Sequence, residues 1–561
     1  METNTVNNGV RRHLDYPELT MYQMIAHTAL QYPDKPAYEF NNAITNFETF
    51  LKKIHRASFA LLSLGVQQGE AVTVCMPNLP QTVDVFYAIN RIGAVANMIH
   101  PLSAQNEITY YLNLAQSRFI LVPDMFYEKV KKAAAEADHD VTILCVRVQD
   151  ELPAYLKLPY VLKTGRQYLK YPEGKDVLWS KCLKDAPEVR LPDITFDKHR
   201  TAVILYSGGT TGKPKGCCLS DLNFNALAMQ AHESIQQPLE PGLTMLSCMP
   251  MFHGFGLGIN IHTVLVRGVK CILMPSFNIK SYAAMLKKKK PNYIAGVPTI
   301  FEALLHTEGL QDLDMSFLNG IFCGGDTLPV ELKKKVDAFL EEHHAKTQIR
   351  EGYGLTECVT ASCLTPKDTY REKSIGLAFP DTYYDIVKPG TDESLPVGEE
   401  GEIVLKGPTL MIGYLHDEEE TANTLKRRSD GDIWLYTGDQ GYMDEDGYVY
   451  FCRRMKRMIV TNGYNVYPEL MEQVIDKVPG VLLSCVIGIK DQRRGQRVRA
   501  YVVMEDGVEG TDQKKEEIME ALRLTTAAYA LPKEIVFRKD LPRTLVGKVA
   551  YHELEEEENA Q

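Results

Sequence analysis

The sequence predicts an α/β protein with a large N-terminal domain and a small C-terminal domain. Short apolar runs rich in β-branched residues recur, for example at residues 71–75, 201–206 and 293–297, with longer amphipathic stretches between them. This alternation is typical of largely parallel, buried strands covered by helices. Beyond residue 380, strands rich in glycine and charge are separated by tight turns, which predicts a small β-barrel-like subdomain. The last hundred residues predict a further α+β unit of ordinary domain size.

Length and composition exclude several classes of protein. The chain has 561 residues, of which 45% are hydrophobic and 24% charged, so it is too long for one compact domain and too apolar to be disordered. The 62 basic and 73 acidic residues give a net charge of −11, which argues against a general nucleic-acid surface. No apolar run is long enough to span a membrane. Residues 1–15 lack the apolar stretch of a secretory signal.

The twelve cysteines show no CxxC spacing, and most of them lie inside apolar runs. We therefore interpret them as small core residues rather than as metal ligands or disulfide partners. Such usage is typical of a reducing compartment, so we expect a cytoplasmic protein.

A glycine-rich loop follows the predicted strand at residues 201–206. Residues 207–216 read Ser-Gly-Gly-Thr-Thr-Gly-Lys-Pro-Lys-Gly. Glycines allow the backbone to approach a ligand closely, and the hydroxyls and lysines supply the donors and positive charge that a polyphosphate needs. The loop is not a Walker A motif, because that pattern requires glycine where Ser207 stands and Ser or Thr where Pro214 stands.

Residues 206–216 closely resemble the phosphate loop of the adenylate-forming superfamily, which includes acyl-CoA synthetases. The resemblance implies that the loop binds ATP through Ser207, Gly208, Gly209, Thr210, Thr211, Gly212, Lys213 and Lys215. Gly208 departs from the superfamily pattern, since Ser or Thr is common at that position and would add a phosphate donor.

Further segments resemble motifs of this superfamily and occur in its order. They are Phe252-His253-Gly254, Gly324-Gly325-Asp326-Thr327-Leu328, Tyr353-Gly354-Leu355-Thr356-Glu357, Thr437-Gly438-Asp439, Arg454-Met455-Lys456, the loop beginning at Gly463, and Pro542–Lys548. Each alone is a weak pattern, but together they cover most of the chain. The resemblance implies an N-terminal AMP-binding domain at residues 1–453 and a mobile C-terminal domain at residues 454–561.

The resemblance also implies a role for each motif. Lys548, Thr356, Glu357 and His253 would form the catalytic set, with Glu357 as the Mg²⁺ ligand. Nucleotide binding would involve Gly324, Gly325, Asp326, Tyr353, Gly354, Asp439 and Arg454, while Lys456 would be the hinge and Gly463 would lie in the loop presented for thioester formation. Asp326 departs from the pattern, which usually has a small apolar residue there.

The implied reaction joins a carboxylic acid to coenzyme A through an acyl-adenylate, with ATP and Mg²⁺. Glycines at 254, 256 and 258 predict space for an apolar acyl group, and residues 251–260 contain no Asp to pair with the amino group of an amino acid. We expect a medium- or long-chain fatty acid. The alternatives are an aromatic acid, transfer to a carrier protein instead of coenzyme A, and a non-catalytic nucleotide-binding protein.

Overall fold

The computed structural model describes residues 9–165, 172–207, 214–307, 309–457, 459–461, 464–466, 468–491, 495–526, 530–544 and 548–559. The chain divides into two compact units. The N-terminal unit comprises Met1–Asp385, Val404–Thr437 and Asp444–Val449, and the C-terminal unit comprises Ile386–Ile403, Gly438–Met443 and Tyr450–Gln561.

The strands, in chain order, are β1 (Pro36–Phe40), β2 (Ala43–Asn46), β3 (Ala71–Val74), β4 (Val95–Met98), β5 (Phe119–Pro123), β6 (Thr142–Val146), β7 (Val177–Leu178), β8 (Thr201–Ser207), β9 (Lys215–Ser220), β10 (Thr244–Ser247), β11 (Lys270–Leu273), β12 (Tyr293–Gly296), β13 (Gly320–Cys323) and β14 (Ile349–Tyr353). They continue with β15 (Cys363–Leu364), β16 (Ser374–Ala378), β17 (Tyr383–Val387), β18 (Gly401–Lys406), β19 (Gly413–Tyr414), β20 (Leu425–Arg427), β21 (Ile433–Met443), β22 (Val449–Arg454), β23 (Ile459–Thr461), β24 (Tyr464–Val466), β25 (Val481–Asp491), β26 (Gly495–Met504) and β27 (Glu534–Arg538).

The α-helices are α1 (Met21–Gln31), α2 (Phe47–Ser63), α3 (Pro80–Arg91), α4 (Gln105–Ala115), α5 (Tyr127–Ala135), α6 (Ala154–Tyr160), α7 (Trp179–Asp185), α8 (Asp221–Ile235), α9 (Val264–Val266), α10 (Ile279–Lys289), α11 (Pro298–His306), α12 (Val330–Glu342), α13 (Glu418–Thr424), α14 (Pro468–Ile475), α15 (Asp512–Thr525) and α16 (Tyr551–Asn559). A π-helix, Phe255–Thr263, precedes α9.

The N-terminal unit is built on two sheets with mainly parallel strands. The first has the order β7-β6-β5-β3-β4-β8-β9-β19, in which only the β8–β9 and β9–β19 pairs are antiparallel. The second includes the run β2-β1-β11-β10-β12-β13-β14-β15-β16, which is parallel from β1 to β14. Parallel strands are covered on both faces by helices, so their sequences are continuously apolar. The buried strands Ala71–Val74 and Gly320–Cys323 illustrate this.

One large apolar core stabilises this unit. Leu205 from the first sheet, Leu246 and Ile321 from the second, and Phe86 from α3 are all fully buried in it. Helix starts are specified locally: the Ser220 hydroxyl accepts a hydrogen bond from the Asn223 N–H and so caps α8, which carries residues toward the candidate site.

The C-terminal unit contains a mostly antiparallel sheet. Its order is β24-β23-β26-β25, with β27 parallel to β26. Val486, Val502 and Ile518 form part of its own apolar core. Strands β17, β18, β21 and β22 each contain a point at which the chain passes from one unit to the other.

The fold-class prediction is confirmed: the chain is a mixed α/β protein with a large N-terminal and a small C-terminal domain. The domain boundary between residues 453 and 454 remains a prediction. Among the described residues, no helix is both long and apolar enough to cross a bilayer.

Candidate active site

The predicted phosphate loop connects two paired strands. β8 and β9 are antiparallel, with Ser207 opposite Lys215 and Tyr206 opposite Gly216, so they form a hairpin next to the edge strand β19 of the first sheet. A strand follows the loop where a Walker A motif would have a helix, in agreement with the sequence argument from Pro214. Ser207 and Lys215 are half-buried at the base of the loop. The predicted phosphate-binding residues Gly208, Gly209, Thr210, Thr211, Gly212 and Lys213 lie outside the described residues.

Tyr414 joins the base of this hairpin to the predicted metal ligand. It lies on β19 opposite Cys217 of β9, and its hydroxyl donates a 2.7 Å hydrogen bond to Oε1 of Glu357. Burial and the neighbouring Glu357 carboxylate raise the pKa of the Tyr414 phenol well above its usual range. The tyrosine therefore stays a protonated donor, which fixes one oxygen of Glu357. This role could not be inferred from the sequence, because it depends on the β9–β19 pairing of segments about 200 residues apart.

Lys215 is held beside the same tyrosine. Its ammonium group pairs with the carboxylate of Glu420 and lies 5.3 Å from the ring centroid of Tyr414. A cation over an aromatic face is attracted by the ring electrons. The positive charge of Lys215 is thus fixed at the base of the phosphate hairpin.

Thr356 and Glu357 begin a short 3₁₀ turn, Thr356–Cys358, after the end of β14. The Met411 N–H donates to the Glu357 carbonyl over 2.8 Å, which ties this turn to the segment before Tyr414. Both ends of the Glu357 residue are therefore positioned by neighbouring backbone and side chains.

Val359, two residues after Glu357, has a strained backbone. Its φ and ψ are +67° and −61°, and the Thr360 N–H donates to the Cys358 carbonyl over 2.8 Å. These values define a classic γ-turn, which is rare and costly for a β-branched residue. Strain of this kind persists only where surrounding contacts enforce it, and it is concentrated at functional sites.

Gly254 provides the contact that accommodates this γ-turn. A Cβ atom at Gly254 would lie 1.7 Å from the Val359 carbonyl oxygen, and one at Gly256 would lie 2.0 Å from the Pro250 carbonyl oxygen. The prediction that these glycines provide space for the acyl group is wrong. Their missing side chains instead allow backbone to pack against backbone.

His253 lies immediately before this contact and is half-buried. Its Nδ1 accepts a 3.2 Å hydrogen bond from the Phe255 N–H, so the neutral ring carries its proton on Nε2. The neighbouring Phe252 ring lies 4.1 Å from the His100 ring, centroid to centroid. The π-helix Phe255–Thr263 follows, a type of helix often found at functional sites.

A mainly apolar cavity opens beside the π-helix. Its atom-free space, which includes solvent outside the mouth, has a volume of about 680 Å³. It is lined by Ala231, Ile235, Leu239, Met245, Phe255, Ile259, Thr263, Val264, Tyr293, Phe322, Cys323, Gly324, Gly325, Gly352, Thr360, Ala361, Cys363, Leu364 and Phe379. The cavity therefore brings together the π-helix, the turn at Gly324-Gly325 and the segment after the γ-turn.

The turn at 324–328 is stabilised by two carboxylates. The exposed Asp326 accepts a 2.9 Å hydrogen bond from the Thr327 N–H, and Glu351 accepts a 3.1 Å hydrogen bond from the Leu328 N–H. Burial raises the pKa of Glu351 to about 7. Asp326 thus acts as a turn residue in this structure, which explains its departure from the motif.

Tyr353 and Gly354 connect β14 to the 3₁₀ turn. The Tyr353 carbonyl accepts hydrogen bonds from the N–H and the hydroxyl of Ser362, at 2.9 Å and 3.1 Å. A Cβ atom at Gly354 would lie 2.0 Å from the Thr360 carbonyl oxygen, so the turn can pass close to the next strand only with glycine at this position.

The predicted ribose-binding residues lie in the C-terminal unit. Asp439 is almost fully buried, and its Oδ1 lies 3.4 Å from Nε of Arg454. The Gly438 N–H donates to Oε1 of Glu402 over 3.1 Å, which holds the turn before Asp439. Arg453, an unexplained departure from the sequence pattern, pairs with Glu400 at 3.2 Å.

The predicted hinge forms a single 3₁₀ turn, Met455–Arg457. The backbone of Lys456 lies in it, but the Lys456 side chain and Gly463 fall outside the described residues. Arg457 anchors the turn through hydrogen bonds of 2.9 Å and 2.6 Å to the two carboxylate oxygens of Glu472. The sequence analysis did not single out Arg457, because a basic run does not show which of its members is buried.

Lys548 lies in a loop closed by short local contacts. Its N–H donates to the Thr544 hydroxyl over 3.1 Å, and its carbonyl accepts from the Thr544 N–H over 2.6 Å. Arg543 and Val549 form an isolated antiparallel bridge beneath this loop.

Comparisons with known proteins identify the family of the chain. The AMP-binding enzyme family model matches residues 25–415, and the model of the AMP-binding enzyme C-terminal domain matches residues 470–548. A long-chain-fatty-acid–CoA ligase of Bacillus subtilis is 33% identical over 98% of this chain and 97% of its own length. A protein of the same name from Yersinia pestis is 30% identical over 96% of this chain and 94% of its own length.

The fold is also found among solved structures. The ATP-bound MatB of Rhodopseudomonas palustris is 23% identical, covers 96% of this chain and 99% of its own, and has a TM-score of 0.80. The family models match more than half of the chain, and the Bacillus relative matches nearly all of it. The chain therefore belongs to the AMP-binding enzyme family.

Proposed function

We propose that this protein is an ATP-dependent ligase that joins a fatty acid to coenzyme A. In the first step, the acid carboxylate attacks the α-phosphorus of ATP, forming acyl-AMP and releasing pyrophosphate. In the second, the coenzyme A thiol attacks the acyl carbon, forming acyl-CoA and releasing AMP. The observation that carries the proposal is the apolar cavity bounded by the Gly324-Gly325 turn, because it supports an apolar acid bound next to a nucleotide.

Most residues of the proposed ATP site belong to the N-terminal unit. Loop residues 207–215 bind the phosphates, while Gly324, Gly325, Asp326, Tyr353 and Gly354 surround the base. Asp439 and Arg454, which belong to the C-terminal unit, have suitable chemistry to bind the ribose, since a carboxylate accepts hydrogen bonds from vicinal hydroxyls. We also propose residues 1–453 as the AMP-binding domain and residues 454–561 as the domain that carries Lys548.

Glu357 fits a magnesium site, and Thr356 beside it is assigned to a phosphate contact. The Glu357 carboxylate presents oxygen atoms, which hard cations prefer, and Mg²⁺ commonly uses only one or two protein carboxylates together with nucleotide oxygens. Bound Mg²⁺ would neutralise charge on the phosphate oxygens. The hydrogen bond from Tyr414 holds the Glu357 carboxylate in one orientation, which lowers the cost of ordering it on binding.

Lys548 is the proposed catalytic cation of the first step. Two anions meet when the carboxylate approaches the α-phosphate, and a positioned positive charge stabilises the negative charge that concentrates there. Lys456 is the proposed hinge, and Gly463 belongs to the loop that we assign to thioester formation. His253 is assigned to the entrance of the acyl site and not as a general base, because its Nδ1 is engaged by the Phe255 N–H.

The cavity lining is dominated by aliphatic and aromatic carbon, which suits an apolar acid. We propose a medium- or long-chain fatty acid, with an aromatic acid as the alternative. The names of the Bacillus and Yersinia relatives support the same class. All twelve cysteines are free, which favours a reducing, cytoplasmic setting.

The decisive experiment measures pyrophosphate release for a panel of fatty and aromatic acids, with and without coenzyme A. We expect the highest kcat/KM for fatty acids and full turnover only with coenzyme A. Pyrophosphate release without consumption of coenzyme A would favour transfer to a carrier protein. Absence of ATP–pyrophosphate exchange with every acid would favour a non-catalytic nucleotide-binding protein.

A further inference from the structure

The segment that leads into α1 forms a strap along α8. Residues 10–21 run antiparallel to this helix and are hydrogen-bonded to it at four levels. The bonded pairs are Arg11 with Glu233, Tyr16 with Gln230, Leu19 with Asn225 and Met21 with Asp221. We call residues 10–21 the N-terminal strap. Val10 and Leu14 are buried, so the strap also packs against the protein.

Two faces of α8 meet different partners. Ala231 and Ile235 line the apolar cavity. Gln230 and Glu233 are hydrogen-bonded to the strap instead. Residues three or four positions apart share one face of a helix, so each pair defines a face. The strap therefore holds the outer side of the helix whose inner side forms a wall of the cavity.

Asp381 joins the strap to a second wall of the cavity. Its Oδ2 accepts hydrogen bonds from the Leu14 N–H at 2.9 Å and from the Tyr16 hydroxyl at 2.7 Å. Its Oδ1 lies 2.8 Å from Nδ1 of His13. Phe379, two residues before Asp381, lines the cavity. The same carboxylate thus connects the strap to the segment that carries Phe379.

Gln230 completes the connection between the two walls. Its side chain is fully buried, and its Nε2 donates to the Pro380 carbonyl over 2.5 Å and to the Tyr16 hydroxyl over 3.3 Å. The Asp381 N–H also donates to the Arg12 carbonyl over 2.9 Å. The strap, α8 and the segment after Phe379 are therefore tied together by contacts between residues 150 or more positions apart.

The contacts of Asp381 are stronger than the ion pair at the start of the strap. The Arg11 side chain is 55% exposed, and exposed ion pairs stabilise proteins little. The Asp381 side chain is only 20% exposed, and hydrogen bonds to a charged acceptor are the stronger kind. Burial and the Asp381 carboxylate raise the pKa of the Tyr16 phenol well above its usual range, so the hydroxyl remains a donor. The hydrogen bond from Tyr16 to Asp381 is thus the contact to test.

We propose that the N-terminal strap makes the protein selective for long acids over short ones, by fixing the position of α8 relative to residues 379–382. This inference rests on the proposed function, since it takes the cavity as the acyl site. Binding of an apolar chain grows with the area that it buries, so a wall that can shift weakens a long acid more than a short one. Tyr16 and Asp381 are positioning residues, because neither is among the described residues that line the cavity.

The test compares the full-length parent protein with Y16F and D381N in ATP–pyrophosphate exchange, with octanoate and hexadecanoate as the acids. In both variants we expect the ratio of kcat/KM for hexadecanoate to that for octanoate to fall about four- to fifteenfold, the contribution of one or two buried methylene groups. The loss should appear in KM for hexadecanoate, while kcat and KM for ATP stay within about twofold of the parent, as expected when only binding of the acid is weakened.

Matched variants separate this contact from general effects. R12Q removes an exposed arginine of the same strap and should leave the ratio unchanged. The Y16F/D381N double variant should lose no more than D381N alone, because both single changes remove the same hydrogen bond. Thermal midpoints establish that each variant is folded at the assay temperature.

Equal losses for both acids in Y16F and D381N would overturn the inference, because the strap would then only stabilise the fold. A ratio in both variants that equals that of the parent would overturn it as well. Absence of exchange in the parent with either acid would contradict the proposed function and this inference together, and the parent alone reveals that outcome.

Discussion

The segment of the proposed metal ligand Glu357 and the loop of Lys548 are held in different ways. Glu357 is fixed by the Tyr414 hydroxyl and by the Met411 N–H, and a strained γ-turn packed on Gly254 follows it. Lys548 makes two hydrogen bonds to Thr544, and Arg543 and Val549 form a bridge beside it, all within seven residues. Glu357 is thus positioned by contacts between distant parts of the chain, whereas these contacts of Lys548 are local.

This contrast suits a division of labour. Residues that bind ATP benefit from a fixed geometry, because they then need no reordering when the ligand binds. A cation that serves one of two half-reactions must be withdrawn for the other, and a locally closed loop can move as a unit.

Lys548→Ala should reduce adenylate formation by about 10²–10³-fold, because the charge that stabilises the transition state is lost. Thioester formation from pre-made acyl-AMP should be affected far less. ATP–pyrophosphate exchange measures the first half-reaction, and single-turnover formation of acyl-CoA measures the second. Lys539→Ala, at an exposed lysine of the same unit, is the control and should change neither rate. Equal losses in both half-reactions would contradict the assignment of Lys548.

Gly254→Ala should lower the free energy of unfolding by about 3 kcal/mol and reduce adenylation, since the new Cβ would meet the Val359 carbonyl at 1.7 Å. Urea denaturation provides the measurement. Gly65→Ala introduces a side chain at φ +85° with no atom within 4 Å, so it should cost about 1 kcal/mol from the backbone alone. If the two variants were equally stable, the Gly254–Val359 contact would not constrain the site.

Lys456→Pro should slow thioester formation more than adenylation, because proline fixes φ within the turn Met455–Arg457 and so restricts a hinge rotation. The two half-reaction assays used for Lys548→Ala apply here, and the expected pattern is the reverse. Lys456→Ala keeps the backbone free and serves as the control. A matching loss in both assays would argue against a hinge at this position.

Tyr414→Phe should reduce adenylation about tenfold, the value of one hydrogen bond to a charged group, and should raise the Mg²⁺ concentration needed for half-maximal rate. Loss of the hydroxyl leaves Glu357 free to rotate but removes little packing. Tyr383→Phe changes an exposed tyrosine and is expected to be silent. Unchanged magnesium dependence in Tyr414→Phe would separate this tyrosine from the metal site.

Glu351→Gln should flatten the dependence of stability on pH. Burial raises the pKa of Glu351 to about 7, above its unfolded value, so its contribution is complete at low pH and is lost as pH rises through 7. The variant should therefore be more stable than the parent at pH 8, by roughly 1 kcal/mol, and no more stable at pH 4. Thermal midpoints across this range provide the test, with Glu372→Gln as an exposed control. Parallel curves for Glu351→Gln and the parent would exclude a buried, protonated Glu351.

The sequence anticipated the parts of the site that are encoded within short segments. The strand before Ser207, the absence of a helix after Pro214 and the turn at Gly324-Gly325 all follow from local conformational preferences and could be inferred without coordinates. The interpretation of Gly254 and Gly256 was wrong, because a glycine that makes space and a glycine that permits close packing look identical in sequence.

The α/β class and the order of the motifs can be inferred from the sequence alone, because hydrophobic periodicity and glycine placement act through near neighbours along the chain. The orientation of Glu357 by Tyr414 and the strain of Val359 against Gly254 depend instead on the tertiary structure. Each of these contacts joins residues more than 50 positions apart, and their geometry is set by sheet pairing and helix packing, which no local pattern specifies.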